Sequence, residues 1–297
     1  VNNYNDVLTH PELKQLIARS ESDGKEAFSF TAPVQVKAEI RNRPFFEMKK
    51  EMEDLTSYIT NGDVRTQARE LLLDLDNYDW QTADHSLGIA NGSVTIAGLM
   101  DIPDSKEDLI MSAALHDIGK SDIPKGILDK PGQFTEHDRE IMQGHAGAGE
   151  ATLAMVLGNK GIVSQLVAKL HHERPAGNGY FKLNDSDLND HVKTALQEKG
   201  FEGDLDKETK RVVELTKIVA AADVFHAIAL DKARRYNHVL GSQVGSEERL
   251  AIAVERVAEQ FGVEAGKLGE LEEKFNHDQH QLNFNERVVV AVKKMAG

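Results

Sequence analysis

An apolar run in the middle of the chain ends in an imidazole next to a carboxylate, and this feature constrains the fold most. Residues 109–115 are mostly apolar, His116 and Asp117 follow directly, and Gly119 is placed to end the helix. Burying an unpaired carboxylate is strongly unfavourable, so the pair requires a compensating charge, and we expect a metal ion. The pair alone is weak evidence, because many such pairs are surface residues or ordinary hydrogen bonds within a core.

Composition limits the kind of protein that can carry this pair. Hydrophobic residues make up 40% of the 297 positions, enough for one large core or for a core with a small second domain. Acidic residues outnumber basic ones by 49 to 35, which argues against polymeric nucleic acid or an anionic membrane surface as the main partner. The chain has no cysteine, so any metal must be held by His, Asp, Glu or water.

Two features of the sequence favour a cytoplasmic location. No apolar run approaches the ~18 residues of a membrane span, and the N-terminal residues do not have the pattern of a signal peptide. We therefore expect no membrane partner.

The hydrophobic pattern divides the chain at about residue 75. Residues 1–75 include an alternating stretch at 27–40 that suits one or two strands, and they predict a small N-terminal α+β subdomain for packing, dimerisation or regulation. The following part, residues 76–297, has helical periodicity nearly throughout, so the predicted class is mainly α. Within it, residues 182–208 are polar and weakly periodic, which predicts a long insertion or lid.

Seven imidazole and carboxylate side chains lie at helix ends or on otherwise apolar helix faces. Spread over five predicted helices, they suit two borderline divalent ions in a helical bundle. A single buried histidine is more often bonded to a backbone carbonyl than to a metal, so the argument depends on their joint placement. By that criterion the other seven histidines, His226 among them, are predicted to be surface or structural residues. The candidate ligands are His85, His116, Asp117, His145, His171, His172 and Asp223.

Two of these positions allow a more specific expectation. Asp117 is the natural bridge, because one carboxylate can offer an oxygen to each of two ions. The adjacent His171 and His172 cannot easily reach one ion from a regular helix with the same geometry. We expect them either to bind different ions or to lie at a distorted helix end.

Five motifs occur in order over about half of the chain. They are His116-Asp117-Ile118-Gly119-Lys120, IPKGILDKPGQFT at 123–135, MQGH at 142–145, His171-His172-Glu173-Arg174 leading to Gly177-Asn178-Gly179-Tyr180, and Ala222-Asp223-Val224-Phe225. Together they resemble the HD-GYP subgroup of the HD-domain metal-dependent phosphohydrolases. The resemblance covers roughly residues 84–236 and implies an HD-domain helical bundle.

The resemblance also implies an activity. Members of that family hydrolyse cyclic di-GMP at a site with two or three metal ions, commonly iron or manganese. By analogy the chain is expected to be a phosphodiesterase that attacks a cyclic dinucleotide, or another small phosphoester, with a metal-activated hydroxide. Asp117 and Lys120 are the implied catalytic residues, with Lys120 near the phosphate. The positions implied to bind substrate are Lys120, Gly179, Tyr180, Lys232 and Arg235.

Several positions depart from the family pattern. Phe181 stands where the naming motif has proline, and Pro175-Ala176 replaces an aromatic residue and an acid. The span from His172 to Asp223 is longer than expected for the family. Gln81 occupies the position at which members with a third metal have glutamate, so two ions are expected here.

Two other functions stay open at this point. The altered turn and the segment 182–208 would also suit a catalytically idle receptor or interaction module that binds a cyclic dinucleotide. The same scaffold and ligands can support an HD-type diiron oxygenase, although oxygen activation does not need Lys120. A homodimer, or an interaction with signalling proteins, is equally left open.

Overall fold

The computed structural model describes residues 45–102, 106–229 and 245–296. Within these ranges the chain is helical and contains no β-strand, which confirms the predicted mainly α class. Short 3-10 turns lie at Ile118–Asp122, Gly158–Gly161, Ala265–Lys267 and Gln279–Gln281. The α-helices of the described ranges are α1 (Phe45–Thr56), α2 (Gly62–Leu99), α3 (Lys106–Leu115), α4 (Lys125–Leu128), α5 (Glu136–Leu157), α6 (Ile162–Leu170), α7 (Asp185–Glu198), α8 (Leu205–Ala229), α9 (Ser246–Gln260), α10 (Leu268–Asp278) and α11 (Phe284–Ala296).

The predicted N-terminal subdomain is described only in part. Residues 1–44, which include the alternating stretch at 27–40, lie outside the described residues. The part that is described consists of α1 and the beginning of α2, and α2 continues without interruption past residue 75. The division into residues 1–75 and 76–297 therefore stays a prediction.

Helix α3 is the centre of the bundle. Its residues from Leu109 to Leu115 are all buried, because the helix is apolar on every side and packs against α2, α6 and α8. The chain leaves α3 while it is still inside the protein. His116 and Asp117 are consequently 0% and 1% exposed, as expected from the apolar run that precedes them.

Helix α2 is long and bends once. The sequence pattern predicts two helices, at 64–75 and 82–99, and the structure joins them into one helix with a kink at Asp79, whose φ and ψ are −151° and 88°. Asp79 acts as an N-cap inside the helix, since its Oδ2 accepts a hydrogen bond from the backbone N–H of Thr82 at 3.2 Å. Its carboxylate also faces Lys125 Nζ at 3.4 Å. The half of α2 that carries His85 therefore begins at a cap of its own.

Replacing Asp79 should separate these two roles. We expect Asp79→Ala to lower the free energy of unfolding by about 1–2 kcal/mol, because the buried cap is lost. The matched variant Asp79→Asn keeps an acceptor for the Thr82 N–H and should lose less than half as much. Urea unfolding of the metal-free variants measures both values, and equal losses would contradict the assignment of a cap.

One helical stretch in the described residues is long and apolar enough to cross a membrane, judged by length and composition alone. It covers Glu136–Leu170 and contains an 18-residue window with a mean hydropathy of 1.3. Polar residues interrupt this window, so a search for continuous apolar runs does not find it. More than half of that window (56%) is buried inside the fold, as in a core helix. A 3-10 turn at Gly158–Gly161 divides the stretch. The absence of a membrane partner stays a prediction.

The segment at residues 182–208, predicted from its polar and weakly periodic sequence to be a long insertion or lid, is largely helical. The segment contains α7, capped at its start by the side chain of Asn184, and the beginning of α8. Leu188, Val192 and Leu196 are buried where α7 packs against α8. These three residues are spaced four apart, a helical period that the polar residues between them obscured.

Candidate metal centre

The structure brings all seven candidate ligands together in one buried cluster. His85 comes from α2, His145 from α5 and Asp223 from α8. The remaining four lie at the ends of helices, two just after α3 and two just after α6. Their ligand atoms form overlapping groups in which every atom lies within 4.8 Å of the others. We call two of these the His145 group (Asp117, His145, His171 and His172) and the His85 group (His85, His116 and Asp117).

Three of the imidazoles are oriented in the same way. In each, Nδ1 lies within hydrogen-bond distance of the carbonyl oxygen three residues earlier. A carbonyl only accepts, so Nδ1–H donates and Nε2 is left with its lone pair facing the cluster. Such outer hydrogen bonds fix metal-binding histidines. The pairs are His116 with Ala113 at 2.7 Å, His145 with Met142 at 2.5 Å and His171 with Ala168 at 2.8 Å.

Asp117 lies between the two groups. Its Oδ1 is 3.3 Å from His145 Nε2, whereas its Oδ2 is 3.3 Å from His116 Nε2 and 2.5 Å from Lys120 Nζ. Both His116 Nε2 and Asp117 Oδ1 are buried without a hydrogen-bond partner in the described part of the chain. His116 Nε2 and Asp117 Oδ2, both lone-pair atoms and 3.3 Å apart, repel each other unless positive charge lies between them. Ligands about 2.1 Å from one ion are roughly 3 Å apart, so this donor set fits a divalent metal.

Burial keeps most of the cluster in the protonation states that bind metal. It lowers the pKa of His145 to about 4, and lowers those of His171 and His172 well below the usual value, so these rings are neutral at pH 7. Burial alone would raise the pKa of Asp117, but Lys120 and His116 hold it well below its usual range. The acid is therefore a carboxylate at every pH at which the fold is expected to work.

The charge of Asp117 also affects His116. Burial lowers the pKa of this imidazole, yet the adjacent carboxylate more than offsets that effect, and the net shift is upward. The pKa of Asp223 shifts in the opposite direction. Burial raises it, but the hydrogen bond from His85 outweighs burial and holds the pKa well below its usual value. The upward shift of the His116 pKa reflects the negative charge of Asp117, and a bound cation would balance the same charge.

His171 and His172 directly follow helix α6, which ends at Leu170. Both belong to the His145 group, and His171 also forms a group with His116 and Asp223, so the two alternatives predicted for this pair stay open. His145 Nε2 lies 3.4 Å from His171 Nε2 and 3.2 Å from His172 Nε2. The ring of Tyr180 stacks on that of His172, with centroids 4.2 Å apart, and forms one wall of the site.

A single carboxylate holds the loop that carries Tyr180. Glu173 is buried, and its two oxygens accept hydrogen bonds from the backbone N–H groups of Phe181 and Leu183, each at 2.8 Å. Gly179 lies so close to the chain at His172 and Glu173 that an added Cβ would be 2.5 Å from the carbonyl oxygen of His172. Glu173 thus fixes the loop beside the site.

Gly119 brings the turn after α3 against the backbone of α5. A Cβ at this position would lie 2.1 Å from the carbonyl oxygen of His145 and 2.4 Å from the backbone nitrogen of Gly149. Since Asp117 and Lys120 flank the glycine, this close approach determines their distance from His145. Glycine is the residue that permits it.

Comparison with known proteins agrees with this geometry. Residues 82–228, which contain all seven candidate ligands, match the HD domain family. This segment is an HD domain. The recognition of an HD-domain phosphohydrolase from the sequence motifs is thereby confirmed.

Several phosphodiesterases are similar to parts of this chain. The 3'3'-cGAMP-specific phosphodiesterase 2 of Vibrio cholerae is 33% identical over 123 residues, 40% of this chain and 24% of the relative. The 3'3'-cGAMP-specific phosphodiesterase 1 of the same organism is 29% identical over 195 residues, 65% and 37% of the two chains. The cyclic di-GMP phosphodiesterase response regulator RpfG of Xanthomonas campestris is 41% identical over 70 residues, 24% and 18% of the two chains. The chain spans well under half the length of these relatives, and it fits an HD-GYP-like phosphohydrolase.

One histidine outside the seven candidate ligands lies next to the cluster. His226, predicted to be surface or structural, is on α8 one turn after Asp223, and its Nδ1 is 2.9 Å from His85 Nδ1. The spacing of three residues from a candidate ligand placed it on the same helix face and was the signal available.

The predicted substrate-binding residues are only partly described. Gly179 and Tyr180 lie beside the cluster, and Lys120 contacts Asp117 at its edge. Lys232 and Arg235 lie outside the described residues. Their roles, like the ligand roles of the seven cluster residues, stay predictions.

Proposed function

We propose that this chain is a metal-dependent phosphodiesterase that hydrolyses a cyclic dinucleotide, such as cyclic di-GMP, at a site with two divalent ions. One observation carries the proposal: the two oxygens of the buried Asp117 face different imidazoles, His145 on one side and His116 on the other. The relatives support the substrate class, since they are named for cyclic di-GMP and 3'3'-cGAMP.

The donor atoms indicate which ions the site would hold. Five imidazoles and two carboxylates are borderline nitrogen and hard oxygen donors, a mixture that suits iron or manganese. One ion would be held by the His145 group and the other by the His85 group, with Asp117 common to both. Asp223 would join the second, since its Oδ1 is 3.1 Å from His85 Nε2. Divalent ions held there supply Lewis acidity and lower the pKa of water.

Lys120 is placed to bind the phosphate of the substrate. Its ammonium contacts Asp117 Oδ2, and its side chain is partly exposed, so it can reach from the buried cluster towards solvent. A phosphodiester oxygen near the cluster would accept a hydrogen bond from this group, and the positive charge would stabilise the transition state. The chain as a whole is acidic, which makes a local cation important for recruiting an anionic substrate.

Tyr180 and the loop around it would position the rest of the substrate. The ring is held by stacking on His172 and by the anchoring of its loop through Glu173. Next to it, Phe181 is 42% exposed, unusual for a large apolar side chain. An exposed aromatic ring beside a phosphate site suits stacking on a nucleobase, which is worth about 1–3 kcal/mol per base.

Hydrolysis by metal-loaded protein tests the proposal directly. Protein reconstituted with Mn²⁺ or Fe²⁺ should convert cyclic di-GMP or 3'3'-cGAMP to a linear dinucleotide, as followed by liquid chromatography. His137→Ala, which removes an exposed imidazole from α5, should leave the rate unchanged. A protein that binds both ions and either dinucleotide without releasing a linear product would instead be the idle receptor considered above. Oxygen uptake by the reduced, iron-loaded protein would favour the oxygenase.

The hydrogen bonds from the loop backbone to Glu173 provide a second test of the same proposal. We expect Glu173→Gln to raise KM about tenfold or more while the metal content stays the same, because one amide nitrogen would then face a backbone N–H and a buried hydrogen bond to a charged group would be lost. Glu140→Gln, an exposed change on α5, is the matched control. Steady-state kinetics and elemental analysis decide the result. Loss of metal without a change in KM would mean that Glu173 supports the imidazoles instead.

The remaining expectations about the protein's setting stay proposals. They are a cytoplasmic location, the exclusion of polymeric nucleic acid and membrane as partners, and either a homodimer or contacts with signalling proteins.

A further inference from the structure

His85 is anchored differently from His116, His145 and His171. Those three rings are fixed by backbone carbonyls of their own helices, whereas His85 Nδ1 lies 2.9 Å from Nδ1 of His226 on another helix. The opposite nitrogen of His85 is 3.1 Å from Asp223 Oδ1. Both partners belong to α8 and are one turn apart, so His85 is held at its two nitrogens by a single helix face.

Gly88 makes room for His226. It lies one turn after His85 in the interior of α2, and a Cβ added there would be 2.1 Å from His226 Nε2 and 2.7 Å from His226 Cδ2. A glycine in a helix interior lowers the stability of the helix by about 1 kcal/mol relative to alanine, so helix propensity alone disfavours glycine at position 88. The ring of His226 packs into the space that the missing side chain leaves.

We propose that His226 is a positioning residue that orients His85 for metal binding, and that Gly88 admits it. Without metal, His85 Nε2–H donates to Asp223 Oδ1. When an ion takes the place of that hydrogen, Nε2 carries the lone pair and Nδ1 carries the hydrogen. That hydrogen needs an acceptor, and His226 Nδ1, 2.9 Å away, supplies one when the hydrogen of the His226 ring is on Nε2. The inference rests on the metal site of the proposed function, but it concerns the binding of the ion and not the hydrolysis.

Two substitutions of His226 separate the acceptor from the volume of the ring. His226→Leu fills the space without an acceptor, and we expect it to weaken the binding of one of the two Mn²⁺ ions about 10- to 100-fold, the usual effect of losing an outer hydrogen bond. His226→Asn can place its amide oxygen where Nδ1 was, and should stay within a few-fold of the parent. Calorimetric titration with Mn²⁺ measures both. Parent-like binding by His226→Leu would overturn the proposal.

A double-mutant cycle tests the role of Gly88. Gly88→Ala alone should weaken the same ion as strongly as His226→Leu, because the new methyl group displaces the ring. In the background of His226→Ala the space is free, so adding Gly88→Ala should cost nothing further. Losses that add in the double variant would show that the two positions act independently and would contradict the inference.

A spectroscopic measurement checks the tautomer without relying on affinity. In the Zn²⁺-loaded parent, ¹⁵N shifts should show His85 protonated at Nδ1 and bonded, and this signature should disappear in His226→Leu but persist in His226→Asn. An unchanged signature in His226→Leu would overturn the proposal. A parent that binds two ions but hydrolyses no cyclic dinucleotide would contradict the proposed function only, since these readouts do not depend on turnover.

Discussion

Replacing Asp117 with alanine should abolish hydrolysis and reduce metal affinity more than about 100-fold. Losing an outer hydrogen bond typically costs 10- to 100-fold in affinity, and this residue would be a direct ligand shared by two ions. The substitution removes the oxygens that face His145 and His116 and leaves Lys120 without its carboxylate partner. Elemental analysis of the purified variant, followed by the hydrolysis assay on the same sample, measures both effects.

A conservative change at the same position provides the control. Asp117→Asn keeps the shape of the side chain and one uncharged oxygen, so it should retain more metal than Asp117→Ala but remain inactive. Turnover of Asp117→Ala at the rate of the parent protein would remove the basis of the proposed site.

Gly119→Ala should destabilise the protein by about 3–5 kcal/mol, at the upper end of what single substitutions do. The new methyl group would lie 2.1 Å from the carbonyl oxygen of His145 and 2.4 Å from the backbone nitrogen of Gly149, and neither backbone atom can rotate away. The turn would have to move away from α5, carrying Asp117 with it. We therefore expect weaker metal binding as well as lower stability.

Gly126→Ala is the matched control for this prediction. Gly126 lies in the short helix α4, and an added Cβ there meets nothing within 4 Å. Urea unfolding of the metal-free proteins should show little change or a small gain for Gly126→Ala. A Gly119→Ala variant that is as stable as the parent would show that the turn does not rest on α5 as described.

The parts of the fold that could be predicted from sequence depend on local patterns. The start of α5 is one example, because Thr135 and Asp138 form the capping box that their spacing of three residues predicts. The burial of His116 and Asp117 is another, because the apolar run before them leaves no exposed face. Polar residues on apolar helix faces stand out in a sequence, and this made the seven candidate ligands recognisable.

The parts that could not be predicted depend on contacts between distant segments. Nothing in the sequence singles out Gly88, because the residue that requires a glycine there, His226, packs against it from another helix. His226 had the local pattern of an ordinary core histidine. The bend of α2 was visible only as a break between two periodic segments, because the cap at Asp79 is formed by its own side chain inside a continuous helix. Helix α7 was missed because three apolar residues were too few to reveal its period.

Anomalous X-ray diffraction from crystals grown with Mn²⁺ tests the central claim most directly. The account predicts two peaks about 3.5–4 Å apart, one bound by the His145 group and the other by the His85 group, with an Asp117 oxygen on each. Crystals that contain no ion in this cluster, or a single ion bound without Asp117, would contradict it.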